Sequence, residues 1–407
     1  MRILHLAMVP PEPPTNGHRL RCRSLLQALV HQGHRVSLLS YAGREEAAAP
    51  PPELARLCEE FQLLPEPQEN PAWGRLVSLA SPRPYGARRF TTAAMRAAVT
   101  EKLKQGFDAI LCEDIYMAGN VPPDCTLPLL LNKHDITYRI VGQFVRGEHN
   151  WLKKLYGRLE HGKIRRLEIA ACGAAAVVLA CSDWDKELLA QDCPGANFAV
   201  LPNVVDVAAY TPANGDDGQT VLFAGAMDWL PNQDGAEYFL DQIMPKLRQL
   251  TPRARFVVAG RNPPRKMLRR YGGIPDVHFT GAVRDMRAVI AQAAVCAVSL
   301  RIGSGTRMKI LEAGALGKAV VSTTLGAEGL GLRHGEEVLL ADDPRSFAEA
   351  VAALLKDPAL RQRLGRAARA RVERDFSQAV LQARLAQALA ALSGDHTRKE
   401  RPMAVTR

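Results

Sequence analysis

The strongest constraint on the fold is a parallel βαβ unit between residues 295 and 322. Residues 295–300 read as a buried strand, and Gly303, Ser304 and Gly305 as a permissive turn. Met308, Leu311 and Leu316 then recur at a helical period before a second buried strand at 318–322. The spacing predicts a helix whose first turn holds Thr306, Arg307 and Lys309. A helix start presents unpaired backbone N–H groups to which an anion can bind. Cations there oppose the helix dipole. They make sense where a doubly charged group such as a pyrophosphate docks. Glu312, further along the same helix, is placed to hydrogen-bond a ribose diol. Read alone, the stretch fits a plain turn with solvated charges equally well, because glycine turns are weak signals.

The rest of the chain repeats the pattern. A strand at 2–8, a loop ending at Gly17, a helix at 18–31 and a strand at 34–40 open it. Strands at 107–112 and 127–131 lead directly into Glu113-Asp114 and into Asn132, Lys133, His134 and Asp135. Ligands of doubly wound sheets bind beyond the carboxyl ends of the strands, which makes Gly17 and His134 site candidates and leaves Asp114 as further polarity on that side. A polar, glycine-containing run at 212–219 is the clearest boundary. Beyond it a second series begins, with strands at 221–224 before Gly225, 255–259 before Gly260 and Arg261, and 277–280 before Gly281. Helices are expected at 88–104, 151–170, 236–250, 344–356, 358–373 and 377–392. The class is therefore α/β, with two Rossmann-like halves and their glycine loops at the ligand ends of the strands.

Composition excludes several alternatives. The chain has 407 residues, 47% hydrophobic and 23% charged, which suits two to three globular domains. Its first residues lack a secretory apolar core, and the longest apolar run, at 169–181, is about 13 residues, too short to span a bilayer. A cytoplasmic location follows as the expectation. The eight cysteines include no C-x-x-C pair and read as buried, reduced thiols. The net charge of +11 fits an anionic substrate or an anionic membrane surface. From 139 to 166 eight Lys/Arg stand against two Glu, interleaved with Tyr138 just before them and with Phe144, Trp151, Leu152, Leu155 and Tyr156. That stretch suits either a bilayer interface or a solvated helix face. No nucleic-acid signature is present.

Taken together, Leu201-Pro-Asn-Val-Val-Asp206, the run from Val277 to Gly281 followed by Val283, and the run from Gly303 to Gly317 resemble the retaining GT-B glycosyltransferases of family four. The pairing of Met227-Asp-Trp-Leu-Pro-Asn232 with Gly303-Ser-Gly-Thr-Arg-Met-Lys-Ile-Leu-Glu312 resembles a subgroup linked to bacterial exopolysaccharide synthesis. The resemblance implies two Rossmann-like domains facing across a cleft, at 1–205 and 206–376. It also implies a helix at 377–393 crossing back to the first domain and a disordered basic tail at 394–407. It implies a UDP- or GDP-sugar donor, a glycan or polyprenyl-linked acceptor, and no metal or other cofactor. Glu312 matches the glutamate that binds the nucleotide ribose. The family's preceding glutamate falls at Ser304, so backbone from Gly303 to Thr306 takes its place. The loop after the first strand of the second domain, from Gly225, lacks the family's Arg and Lys. Arg261, Arg301, Arg307 and Lys309 are their substitutes. His134 matches the histidine that approaches the transferred sugar, Val283 and Arg284 the contacts to the base, and Gly17 the loop approaching the donor phosphates. Two other functions share these features: a nucleotide-sugar 2-epimerase, and a non-catalytic scaffold of the same fold.

Overall fold

The computed structural model describes residues 1–68, 71–212 and 215–394. The expected disordered tail lies, from residue 395 on, outside them. Among the described residues the chain forms two compact units: Met1–Pro202 together with residues 381–394, and Asn203–Val380.

In the first unit, β1 (Arg2–Ala7), β2 (Arg35–Ala42), β3 (Glu60–Pro65), β4 (Ala109–Glu113), β5 (Leu129–Asn132), β6 (Val177–Ala180) and β7 (Phe198–Val200) form one sheet in the order β3-β2-β1-β4-β5-β6-β7. Every pairing is parallel. The central strands are runs such as Ile-Leu-His-Leu-Ala and Val-Val-Leu-Ala, buried along their length. Such runs mark a parallel sheet with both faces covered by helices. In the second unit, β8 (Thr220–Ala224), β9 (Arg255–Ala259), β10 (Val277–Gly281), β11 (Val295–Val298), β12 (Ala319–Ser322) and β13 (Leu339–Leu340) take the order β10-β9-β8-β11-β12-β13, again all parallel. The core of this second unit centres on Phe239, stacked on Phe256 at 4.0 Å and set edge-on to Phe347.

Strand order reverses between β1 and β4 and again between β8 and β11. Loops leaving such neighbours diverge to opposite faces and open a crevice between them. Each unit therefore has one crevice built by its own chain. The eight cysteines carry free thiols, all buried except the half-buried Cys125.

Several expected boundaries shift. The helix expected at 88–104 is two, Tyr85–Phe90 and Ala93–Leu103, divided where Thr92 caps the second. The helix expected from 236 begins at Leu230, because Pro231 fits the first turn of a helix, where no N–H is needed. The helix after the glycine turn starts only at Met308, so Thr306 and Arg307 precede it. Helices Pro71–Leu79 and Thr137–Gly147 were not expected.

Gly260 fixes how the turns after β8 and β9 meet. A Cβ there would lie 1.8 Å from the Gly225 carbonyl oxygen. Gly260→Ala is expected to lower stability by about 1–3 kcal/mol, as other overpacking changes do. The measurement is a lower urea midpoint at unchanged m-value. An unchanged midpoint would show that the two turns part freely.

Candidate functional site

The first crevice is organised by Glu113, the last residue of β4, whose side chain has no exposure to solvent. It lies within hydrogen-bond distance of three partners. His5 Nε2 approaches Oε1 at 2.7 Å; His134 Nε2 and Asn132 Nδ2 approach Oε2 at 2.6 and 2.8 Å. Burial opposes its charge, but these bonds from His134 and His5 hold the carboxyl well below its usual range. An ionised carboxylate only accepts, so both imidazoles carry their proton on Nε2. Nδ1 of His134 takes no part in this contact. Asn132 is fixed in turn by Arg21, whose guanidinium donates to Asn132 Oδ1 and to the Leu201 carbonyl.

His18, one residue after Gly17 at the start of helix Gly17–His31, stacks on His134 with ring centroids 4.0 Å apart and 14° between planes. Burial, then the neighbouring His134, push it down to about 3, so it is neutral. Ligand atoms of His18, Cys22 and His134 lie within 4.8 Å of one another. The two rings are nearly parallel, however, so their in-plane lone pairs do not converge on one ion. In this arrangement the residues do not fit a metal, and no step is routed through one.

Asp114 does not serve as open acceptor-side polarity. It is buried, with φ at 62°, and pairs with Lys133 Nζ at 2.5 Å. Lys133 also meets Glu168 at 3.0 Å, and Glu168 accepts the N–H groups of Thr137 and Tyr138. This ion triad anchors the segment carrying His134 to the helix Trp151–Ala174. Beside it, burial and the Asp114 carboxylate push Asp135 up to about 7.

The second crevice joins the turns after β8 and β11. Lys309, in the first turn of helix Met308–Ala315, donates to Asn232 Oδ1 at 2.9 Å and lies 4.2 Å from the centre of the Phe223 ring. Its ammonium would be 3.0 Å from a Cβ placed on Gly225. Asn232 Nδ2 donates to the Ala226 carbonyl. Lys309 thus brings a cation up to the 226–232 loop, which has none of its own. Burial, then Arg307, push Lys309 down to about 7, against the pull of Glu312. Arg307 folds back and donates to the carbonyls of Ser304 and Gly305. It braces the glycine turn, and a side chain at Gly303 would collide with its guanidinium. Thr306 Oγ1 accepts from Asn203 Nδ2 at 2.8 Å. Glu312 accepts from Tyr210 Oη at 2.9 Å, and burial raises its pKa despite that bond and Lys309.

The structure thus brings Gly225, Lys309, Arg307 and the Gly303–Thr306 turn together, and in the first unit the start of the Gly17 helix with His134. Arg261 and Arg301 are instead paired with Asp228 and Asp234, at 3.1 and 2.6 Å. Val283 is half-buried and Arg284 exposed on the turn after β10. Sequence reading missed the role of His5, His18, Asn203 and Tyr210. His18 carried a signal, since it follows Gly17 at the ligand end of β1. His5 lies inside an apolar strand and carried none.

Two family models match. Residues 15–209 match Glycosyltransferase Family 4, and residues 218–357 match Glycosyl transferases group 1. A relative is an uncharacterized 44.6 kDa protein in the cps region of Klebsiella pneumoniae, 23% identical over 83% of this chain and 87% of its own. The phosphatidyl-myo-inositol mannosyltransferase of Mycobacterium leprae is 27% identical over 52% of this chain, about half of that protein's length (53%). Among solved structures, sucrose-phosphate synthase from Thermosynechococcus elongatus aligns over 97% of this chain and 100% of its own, with TM-score 0.74 and 17% identity. Anabaena HepE in complex with UDP-glucose aligns over 96% and 100%, with TM-score 0.67 and 16% identity. At these identities the likeness is one of fold, and the fold is GT-B.

The Lys133 triad gives a stability test. Lys133→Met leaves two buried carboxylates without their cation, a change that costs about 3–5 kcal/mol. Chemical denaturation at neutral pH is expected to show that loss, with part of it recovered at low pH as the carboxylates take up protons. A loss under about 1 kcal/mol, the scale of an exposed pair, would count against the anchoring role.

Proposed function

We propose that this chain, a glycosyltransferase of GT-B fold, moves a hexose from a UDP- or GDP-sugar, with retention of configuration, to a glycan or polyprenyl-linked acceptor in bacterial exopolysaccharide synthesis. The carrying observation is the meeting of Lys309, the Arg307-braced glycine turn and Glu312 at the strand-order reversal between β8 and β11. Supporting it are the relative from the Klebsiella pneumoniae cps region, for the pathway, and the HepE complexes with UDP and with UDP-glucose, for the donor.

The chemistry is departure of a nucleoside diphosphate from an anomeric carbon. Lys309 and the backbone N–H groups at the start of helix Met308–Ala315 stabilise the negative charge on the leaving group. Arg307 adds its charge and keeps the turn from Gly303 through Ser304 and Gly305 to Thr306 in shape, which lets phosphate oxygens approach backbone. Gly225 gives the same close approach from the facing turn. Glu312, steered by Tyr210, takes the ribose hydroxyls. Val283 and Arg284 are assigned to the base, Gly17 to the donor phosphates, and Arg261 and Arg301 to supporting positive potential. His134, oriented by Glu113, offers its Nδ1 to a hydroxyl of the transferred sugar. No metal is assigned a role.

Binding and turnover separate these assignments. Glu312→Ala is expected to weaken nucleoside diphosphate binding about tenfold or more, the value of a hydrogen bond to a charged group. His134→Ala should leave that affinity unchanged and lower turnover by about a hundredfold. Full donor binding and activity in Glu312→Ala, Lys309→Ala and His134→Ala together would contradict the reading. Incubation with donor alone tests the epimerase alternative, which predicts isomerised donor without an acceptor.

Lys309 also sets a pH dependence. At pH 6 it is already charged and binding takes up no proton. Above its value of about 7 the free protein is neutral there, and a bound diphosphate must draw a proton in. Affinity is therefore expected to fall as pH rises from 7 to 9, by up to about tenfold per unit. Titration calorimetry should show Lys309→Arg, charged throughout, losing that slope.

A further inference from the structure

The helices Pro71–Leu79 and Trp151–Ala174 are in contact. The Tyr156 hydroxyl lies 3.1 Å from Ser78 Oγ, and Lys163 Nζ donates to the Ser78 carbonyl at 2.5 Å. The shorter helix buries Gly74 and Ser78, one turn apart, and the longer buries Gly157, Glu160 and Lys163. What they turn outward is apolar. Trp73, Leu76 and Leu79 on one, and Trp151, Leu152, Leu155 and Leu159 on the other, each expose between 46% and 69% of their surface. On each helix these residues recur at helical spacing, and the Ser78–Tyr156 contact holds the two helices together.

The charges interleaved with them have one sign. Arg75, Lys153 and Arg158 are exposed and Lys154 is half-buried. No acidic residue occurs in Pro71–Leu79 or from 149 to 159. The next, Glu160, is buried against Lys163 and the Tyr85 N–H. The expected basic–aromatic stretch at 139–166 is thereby corrected. Within it, only the 151–159 part carries large exposed apolar side chains, and Pro71–Leu79 carries a second set. Tyr138 is instead bonded to Asp192.

We propose that these two helices form one docking face for an anionic lipid bilayer, with the tryptophan and leucine side chains entering the headgroup boundary and the Lys/Arg side chains meeting lipid phosphates. Tryptophan at the level of the headgroups and cations beside it are the pattern of an interfacial helix. A second copy of this chain fits less well, because a two-fold interface would set this wholly cationic face against itself.

The test is co-sedimentation of the full chain with vesicles of phosphatidylglycerol and phosphatidylcholine, against phosphatidylcholine alone, at low and high salt. The anionic vesicles are expected to take up the protein with a blue shift of tryptophan emission. Uptake should fall about tenfold or more in neutral vesicles or at high salt, where the surface potential is screened. Trp151→Glu with Leu155→Glu, and separately Leu76→Glu, should each lower uptake by a similar factor at unchanged Tm, since all these positions are exposed. Lys153→Glu with Arg158→Glu should do the same. Absence of uptake by anionic vesicles, or uptake unchanged in the Trp151/Leu155 variant, would overturn the proposal. So would a dimer in size exclusion that this variant dissociates, since the face would then belong to a second copy. Unchanged uptake by Leu76→Glu would overturn the two-helix face. Vesicle binding needs neither donor nor acceptor, so its outcome is separate from that of the nucleotide experiments.

Discussion

An ionised carboxylate sealed from water must be surrounded by donors, and Glu113 shows how far that requirement reaches. Its three partners come from β1, from the end of β5 and from the residues just beyond it. Through Asn132 and Arg21 the same network reaches the first helix and the residues following β7. Placing one negative charge at the end of β4 thus determines which nitrogen of two histidines turns toward it and ties four segments of the first unit together. The neighbouring Lys133 triad repeats the device with opposite sign. Burial makes both clusters intolerant of losing a partner, and that intolerance keeps His134 in one orientation.

The second unit solves a different problem. The proposed diphosphate site needs positive charge, yet the turn after β8 carries none. The charge comes from Lys309, on the element after β11, and Asn232 receives it through a neutral carbonyl oxygen. A buried ammonium held by a neutral partner is left close to its titration point. Arg307, in contrast, spends its hydrogen bonds on the backbone of its own turn. Two cations two residues apart therefore differ in kind: one shapes the loop, the other remains able to respond to a ligand.

The alternation of buried strands and glycine turns made both sheets legible, because parallel strands covered on both faces leave continuous apolar runs in the sequence. The location of the candidate residues was legible for the same reason, as His134 and Gly225 directly follow strands. Partners set by tertiary contact were not. Nothing near Glu312 in sequence points to Tyr210, and nothing near Glu113 points to His5. Helix Pro71–Leu79 escaped notice because it is short, begins with proline and contains Gly74, so its propensity is weak. Its place against the long helix supplies what the local sequence does not. The start at Leu230 was hidden by Pro231, which reads as a break unless it falls in the first turn.

The first unit has a property that its strand order conceals. Leu381, Leu385, Ala388 and Leu389 are buried, and the Gln382 carbonyl accepts from Gln32, which caps the end of the helix after β1. This unit is therefore discontinuous in the chain, interrupted by all of Asn203–Val380. During synthesis its seven strands leave the ribosome first, yet the helix that covers Gln32 emerges only after the entire second unit has been made. Until then the amino-terminal half lacks the apolar cover that Leu381, Leu385, Ala388 and Leu389 bring, and surface left open in this way favours aggregation.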